Sequence, residues 1–162
     1  MQLTGKQIVE RGIVSNFDEL TAIQQQGVDV RIDKVYRNKF HAPGKVNISG
    51  TKIPKYEEVQ PVNGVFTLDP GYYEVQLIEA VHVPNNCSLH FKTRSSLVRC
   101  GALVHSGQFD AGFETETAGC FLQVIEPINI ERAARIAQAL CFESAPVDNL
   151  YDGQWQNDKQ RK

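Results

Sequence analysis

The sequence predicts an all-β domain, a sandwich, barrel or jelly roll, and three observations predict it. Residues 27–37, GVDVRIDKVYR, alternate Val28, Val30 and Ile32 with Asp29, Arg31 and Asp33, the period of two that a half-buried strand requires. Downstream, turn-forming residues interrupt β-rich runs roughly every ten residues, the rhythm of short strands joined by turns. The 162 residues contain no internal repeat and no compositional boundary, and a chain of that length can bury one core unaided.

The elements follow in order. Thr4 is a capping residue ahead of KQIVER, and Gly12 closes the run, which predicts a short helix. So short a helix is not stable alone, so Ile8 and Val9 must pack on the body, and residues 1–26 are expected to form an N-terminal helical appendage. After the strand at 27–37, residues 40–60 are rich in Gly, Pro, Lys and Glu and read as loop and edge structure, with KVNIS as a strand fragment. Two β-rich runs flank Asp69-Pro70-Gly71, a hairpin or corner, and Pro84-Asn85-Asn86 breaks the chain before CSLHFKTR. Residues 95–101 suit one helical turn, capped by Ser95 or Ser96 and ended by Gly101. GALVHSG, FLQVIEPINI and RIAQALCFES supply the last strands, and the polar tail 150–162 is expected to be mobile when nothing is bound.

Composition narrows the function. Apolar residues make up 41% and charged residues 22%, ordinary globular usage that argues against disorder and fibres. Net charge is -2 and no predicted face collects Lys and Arg, so no nucleic-acid partner is expected. A single triphosphate remains compatible, because it needs only a few placed donors and a metal ion. Cys87, Cys100, Cys120 and Cys141 are scattered, form no C-x-x-C and follow no apolar leader segment, so reduced thiols, core packing and a cytoplasmic location are expected. No apolar run approaches a membrane span.

Five short segments then carry the chemistry. They are Gly27-Val28-Asp29-Val30-Arg31, Arg94-Ser95-Ser96-Leu97 with Arg99, Phe109-Asp110-Ala111-Gly112-Phe113, Arg135-Ile136-Ala137-Gln138, and Tyr151-Asp152-Gly153-Gln154. In the second, serine hydroxyls, helix-start N–H groups and arginine forks all favour phosphate; an ordinary capped turn with a solvated arginine has the same letters. Together and in this order the segments resemble the motif set of the dUTPase and dCTP deaminase superfamily.

The resemblance implies a distorted jelly-roll or β-barrel with short helices, assembled as a homotrimer whose sites draw on more than one subunit. It implies Mg²⁺ on the triphosphate, with Asp29 supporting the metal through water. Arg94, Ser95, Ser96, Arg99, Gln138, Tyr151 and Gln154 would hold the nucleotide, Ser95 within the catalytic group, and the tail would close over it. Asp110 would activate the attacking water, and Phe113 would pack on deoxyribose. Base contacts in the superfamily come largely from backbone atoms around the third motif.

Two chemistries share this fold, and one carboxylate separates them. The deaminases have a glutamate ten residues after the third-motif aspartate; counting from Asp110 reaches Cys120, and a thiol is poorly suited to shuttling protons beside the base. The expected activity is therefore hydrolysis of dUTP to dUMP and pyrophosphate. The alternatives are a dCTP deaminase, mono- or bifunctional, with Glu116 reconsidered, or a nucleotide-binding regulatory relative, suggested by Phe113 in place of tyrosine, Thr115 in place of glycine, and Leu150. Zinc deaminases are excluded, since H-x-E with P-C-x-x-C is absent and His41, His82, His90 and His105 lack ligand spacing.

Overall fold

The computed structural model describes residues 1–156. Its core is a seven-stranded antiparallel sheet in the order β10-β12-β7-β2-β14-β9, with β5 added alongside β2. The strands are β2 (Val28–Asn38), β5 (Tyr56–Val59), β7 (Gly71–Leu77), β9 (Cys87–Thr93), β10 (Ala102–His105), β12 (Gly119–Val124) and β14 (Arg135–Glu143). Side chains nearly close the sheet into a barrel. Thr93 Oγ1 donates to Val104 O at 3.1 Å and accepts from Val104 N–H at 2.8 Å, and Phe91 N–H donates to Ser106 Oγ at 3.0 Å, joining β9 to β10. Val30, Ile32, Val75, Leu77, Leu89, Leu122 and Ile136 fill the interior.

The long strand β2 keeps its alternation until the pairing with β7 shifts register between Ile32 and Lys34, after which Val35 takes the inward position. Gly27 precedes it because a Cβ there would lie 2.6 Å from the Ala139 carbonyl oxygen on β14. Asp29 is only 1% exposed, so the polar face that alternation suggested is closed off at this end of the strand, while Arg31 and Asp33 stay half-buried and Arg37 is exposed. Across residues 40–60, β3 (Lys45–Asn47) and β4 (Gly50–Lys52) form an exposed hairpin, as an edge region should. Asp69-Pro70-Gly71 is a corner: β6 (Val65–Leu68) pairs with β13 (Ile128–Glu131), whereas β7 pairs with β2 and β12.

A three-stranded sheet, β1-β8-β11, covers one side, from β1 (Val14–Ser15), β8 (Ala80–His82) and β11 (Glu114–Thr115). Helix α1 (Gly5–Glu10) leads into it, closed by a capping box in which Thr4 Oγ1 accepts from Gln7 N–H and Gln7 Oε1 accepts from Thr4 N–H. From the first 26 residues, Leu3, Ile8, Ile13, Val14 and Ala22 all enter the core. The second helix, α2 (Ser95–Arg99), starts one residue earlier than the serines suggested: Arg94 is its N-cap and makes no side-chain capping bond. Cys87, Cys120 and Cys141 are buried, but Cys100 at the end of α2 is exposed and packs in no core. Among the described residues no helix is long and apolar enough to cross a membrane.

A buried ion pair fixes β2 against the smaller sheet. Glu79, fully buried, accepts from Arg31 N–H at 2.8 Å and from Arg31 Nε at 2.7 Å, while Arg31 Nη2 donates to Asn16 O at 2.6 Å. Burial raises the Glu79 carboxyl above its ordinary range and Arg31 pulls it back.

Because Ile8 is a core residue, Ile8→Ala is expected to cost about 2–4 kcal/mol, whereas Thr4→Ala, which removes only the cap, should cost about 1 kcal/mol. Urea unfolding of both variants measures the difference; equal small losses would mean the helix is peripheral.

Candidate active site

Three of the five segments meet on one carboxylate. Asp29 on β2 pairs directly across the sheet with Gln138 on β14, and Gln138 Nε2 lies 3.4 Å from Asp29 Oδ1. Arg94, just beyond β9, places Nε 3.2 Å from Asp29 Oδ2, and Arg135 Nη1 reaches the same oxygen at 3.2 Å. Two guanidiniums facing one buried carboxylate leave an excess positive charge, which suits a phosphate group. Burial raises the Asp29 carboxyl above its ordinary value, and Arg94, Arg135 and Gln138 draw it back.

Arg135 heads the fourth segment, from which Gln138 alone was expected to bind. In a regular strand, positions 135 and 138 face opposite sides, but the register of β14 on β2 shifts between Arg135 and Ala137. The bulge brings both side chains to Asp29. The bulge shows in the burial of two consecutive residues, Ile136 and Ala137, and the sequence does not mark it, since the same strand also holds the longer apolar run Ala139-Leu140-Cys141-Phe142. Arg135 Nη1 also donates to Thr21 O at 2.9 Å, and Asp29 N–H to Ala22 O at 2.8 Å, so residues 21–22 are fastened to the cluster. Ser95, Ser96 and Arg99 are exposed on α2, directly after Arg94.

The third and fifth segments form a second cluster. Asp110 is exposed at the start of a turn in which Phe113 N–H donates to Asp110 O, and Gln108 Nε2 lies 3.1 Å from the Asp110 carboxylate. Phe113 is buried against Phe109 at 5.0 Å and Tyr151 at 5.4 Å between ring centres. The tail is rooted where Ser144 and Val147 N–H donate to Asn86 O and Asn85 O, and Tyr151 N–H then donates to Ala111 O at 2.8 Å. Asp110, Ala111, Val147, Asn149, Leu150 and Tyr151 line an open cleft of about 330 Å³. Gln154 is exposed, and the tail's hydrogen bonds to Gly112 and Glu114 come from Gln156. Residues 157–162 of the tail lie outside the described residues.

The two clusters sit apart within one chain. Phe109 bridges to Leu89, and Arg94 lies five residues further along the same strand direction, a separation of roughly 16 Å. Cys120, ten residues after Asp110, is buried in β12, while Glu114 and Glu116 are exposed. Burial and the neighbouring Cys87 thiol push Cys141 up to about 12, so this thiol packs and does not react as a nucleophile at neutral pH. His105 is exposed against Gln123 and Tyr72, away from the carboxylates described.

Asp29 sets a pH dependence whose sign follows from its environment. The folded protein holds this proton to higher pH than the unfolded chain, so the contribution is fully present below the ordinary value of 3.8 and is lost as pH rises through the raised one. Across that acid window the stability of the wild type relative to Asp29→Asn should therefore fall with rising pH. Paired urea titrations check this, and a difference rising with pH would refute it.

Comparison with known proteins fits this arrangement. A family described as dCTP deaminase-like matches residues 2–144. The chain is 34% identical over 143 residues to the deoxyuridine 5'-triphosphate nucleotidohydrolase of Methanocaldococcus jannaschii, covering 85% of this chain and 90% of that protein. It is 33% identical over 143 residues to a probable deoxyuridine 5'-triphosphate nucleotidohydrolase of Halobacterium salinarum, covering 85% and 84%. In three dimensions it is similar to the 2'-deoxycytidine 5'-triphosphate deaminase of Agrobacterium tumefaciens, with a TM-score of 0.62 at 20% identity. That match covers 86% of this chain and 47% of the deaminase chain, and supports the fold alone. With a family match spanning every strand of the described residues, the chain belongs to the dCTP deaminase-like family.

Proposed function

We propose that the protein is a dUTP diphosphatase, hydrolysing dUTP to dUMP and pyrophosphate in the cytoplasm as a homotrimer. The observation that carries this reading is the division of the site. A cationic cluster on Asp29 and an exposed aspartate beside a buried aromatic lie at opposite ends of β9, roughly 16 Å apart. Half-sites so placed suit an assembly in which one copy supplies Asp110 and another the arginines. The uracil preference is drawn from relatives that carry a dUTP nucleotidohydrolase name, and burial of Cys120 supports hydrolysis over deamination.

On this reading Arg94, Ser95, Ser96, Arg99 and Gln138 bind phosphate oxygens, joined by Arg135, with Tyr151 and Gln154 reaching them when the tail closes. Phe113 backs the deoxyribose, and the backbone at 112–114 faces the base. Asp110 accepts a proton from water as its oxygen attacks the α-phosphorus, and the bond to the β-phosphate bridging oxygen breaks. The guanidiniums stabilise charge on the departing pyrophosphate.

Among the described residues no group of three or more His, Cys, Asp or Glu could hold a metal. Both Asp29 oxygens already accept from Arg94, Arg135 or Gln138. These residues fit a hard cation held mainly by triphosphate and water, which Asp29 would support through water. Bound Mg²⁺ would supply charge neutralisation on the triphosphate. The partners are dUTP and further copies of the chain, with no nucleic acid and no membrane.

Incubation with Mg²⁺ and either dUTP or dCTP tests the reading. The expected product is dUMP from dUTP and no uracil nucleotide from dCTP, with activity lost on chelation and reduced at least about 100-fold in Asp110→Asn. Uracil nucleotides formed from dCTP would establish a deaminase instead, and binding without turnover a regulatory relative. Co-refolding Asp110→Asn with Arg94→Ala should restore part of the activity that each lacks alone; no recovery would refute a site shared between subunits.

A further inference from the structure

The small sheet β1-β8-β11 ends on β11, and beside Asp110 its outer edge presents one donor and one acceptor. Towards β8 the chain is satisfied: Gly112 N–H donates to Val83 O and Val83 N–H donates to Phe113 O, each at 2.9 Å. Gly112 C=O and Glu114 N–H are engaged by the tail instead. Gln156 Nε2 donates to Gly112 O at 2.8 Å, and Gln156 Oε1 accepts from Glu114 N–H at 3.0 Å. Among the described residues, the Gln156 side chain thus covers the donor and acceptor of a strand edge that would otherwise be a ready template for another hydrogen-bonding partner.

The fit is close. Gly112 has φ +85°, and a Cβ there would lie 2.7 Å from Leu150 Cβ, so the tail can lie here only over glycine. Tyr151 packs edge-on against Phe113, and Tyr151 and Leu150 line the same cleft as Asp110.

A primary carboxamide carries one acceptor and one donor side by side in a plane. The imide edge of uracil carries the same pair, a ring carbonyl beside an N–H. Resting on the dUTP reading above, we propose that Gln156 is an internal surrogate for the base: its carboxamide occupies the backbone pair that takes the uracil edge, so tail and nucleotide compete for it. Docking of the substrate base then requires release of the tail from its own third segment, and the apparent affinity for nucleotide is reduced by the fraction of molecules in which Gln156 is seated.

Calorimetric titration of the full-length protein with dUMP, and with a non-hydrolysable α,β-imido analogue of dUTP plus Mg²⁺, tests the competition. Gln156→Ala removes both hydrogen bonds; Gln156→Glu keeps the acceptor but sets a second one against the Gly112 carbonyl. Both variants should bind uracil nucleotides more tightly than the wild type, by about 5-fold or more for the loss of two competing hydrogen bonds. Exchange of the Glu114 amide without nucleotide should be faster in both. Equal or weaker nucleotide binding, or unchanged Glu114 exchange, would overturn the surrogate role and leave the dUTP reading standing. If neither wild type nor variants bind a uracil nucleotide, the dUTP reading falls, and the competition with it.

Discussion

The rest of the site depends on holding one buried carboxylate in place. Asp29 is buried between β2, β14 and the end of β9, where an isolated charge would be untenable; it is tolerable because Arg94, Arg135 and Gln138 surround it. The need runs both ways. Without Asp29, two guanidiniums would stand close together with nothing to hold them apart from solvent or each other. Removing one member of such a buried group typically costs about 3–5 kcal/mol, which makes the cluster a strict condition on the sheet order as well as on function. The β14 bulge and the fastening of residues 21–22 follow from the same demand, since each delivers a donor or closes the backbone around it.

A second buried pair, Arg31 with Glu79, extends this constraint from the barrel to the small sheet. Glu79 precedes β8, and β8 carries β11 and with it the turn of Asp110. Two ion pairs on one strand therefore bear on both clusters: Asp29 gathers the guanidiniums of Arg94 and Arg135, and Arg31 ties down the sheet that the turn of Asp110 leads into. The nearly closed barrel is the rigid spacer between them.

Much of this architecture was legible because it rests on local rules. Alternation announced β2, turn residues marked the corner at Pro70, and Thr4 formed the expected cap, to which Gln7 adds the second half of a capping box. The family resemblance named the segments that converge on Asp29. Illegible were features that arise only when distant strands meet. Arg135 joins the cluster through a bulge, which has no residue code of its own. Asp29 looked solvated because strand periodicity says which side a residue faces and nothing about what covers that side. The arginine cap of α2 and the exposed Cys100 went unread because propensity favours serine caps and buried cysteine. Glu79 drew no notice as a lone acid in an apolar run, and Gln156 lies two residues beyond the motif that drew attention to the tail.

The root of the tail has a consequence of its own. Val147 is fixed to Asn85, and Gln156 lies only nine residues beyond it, so the carboxamide meets β11 as a tethered ligand and never from bulk solution. For a short flexible tether the effective concentration of such a ligand is on the order of millimolar, and it falls as the tether lengthens. The spacing between anchor and glutamine is then a dial. Lengthening the chain between Tyr151, the last residue of the tail that lines the cleft, and Gln156 would lower that effective concentration and with it the strength of the competition.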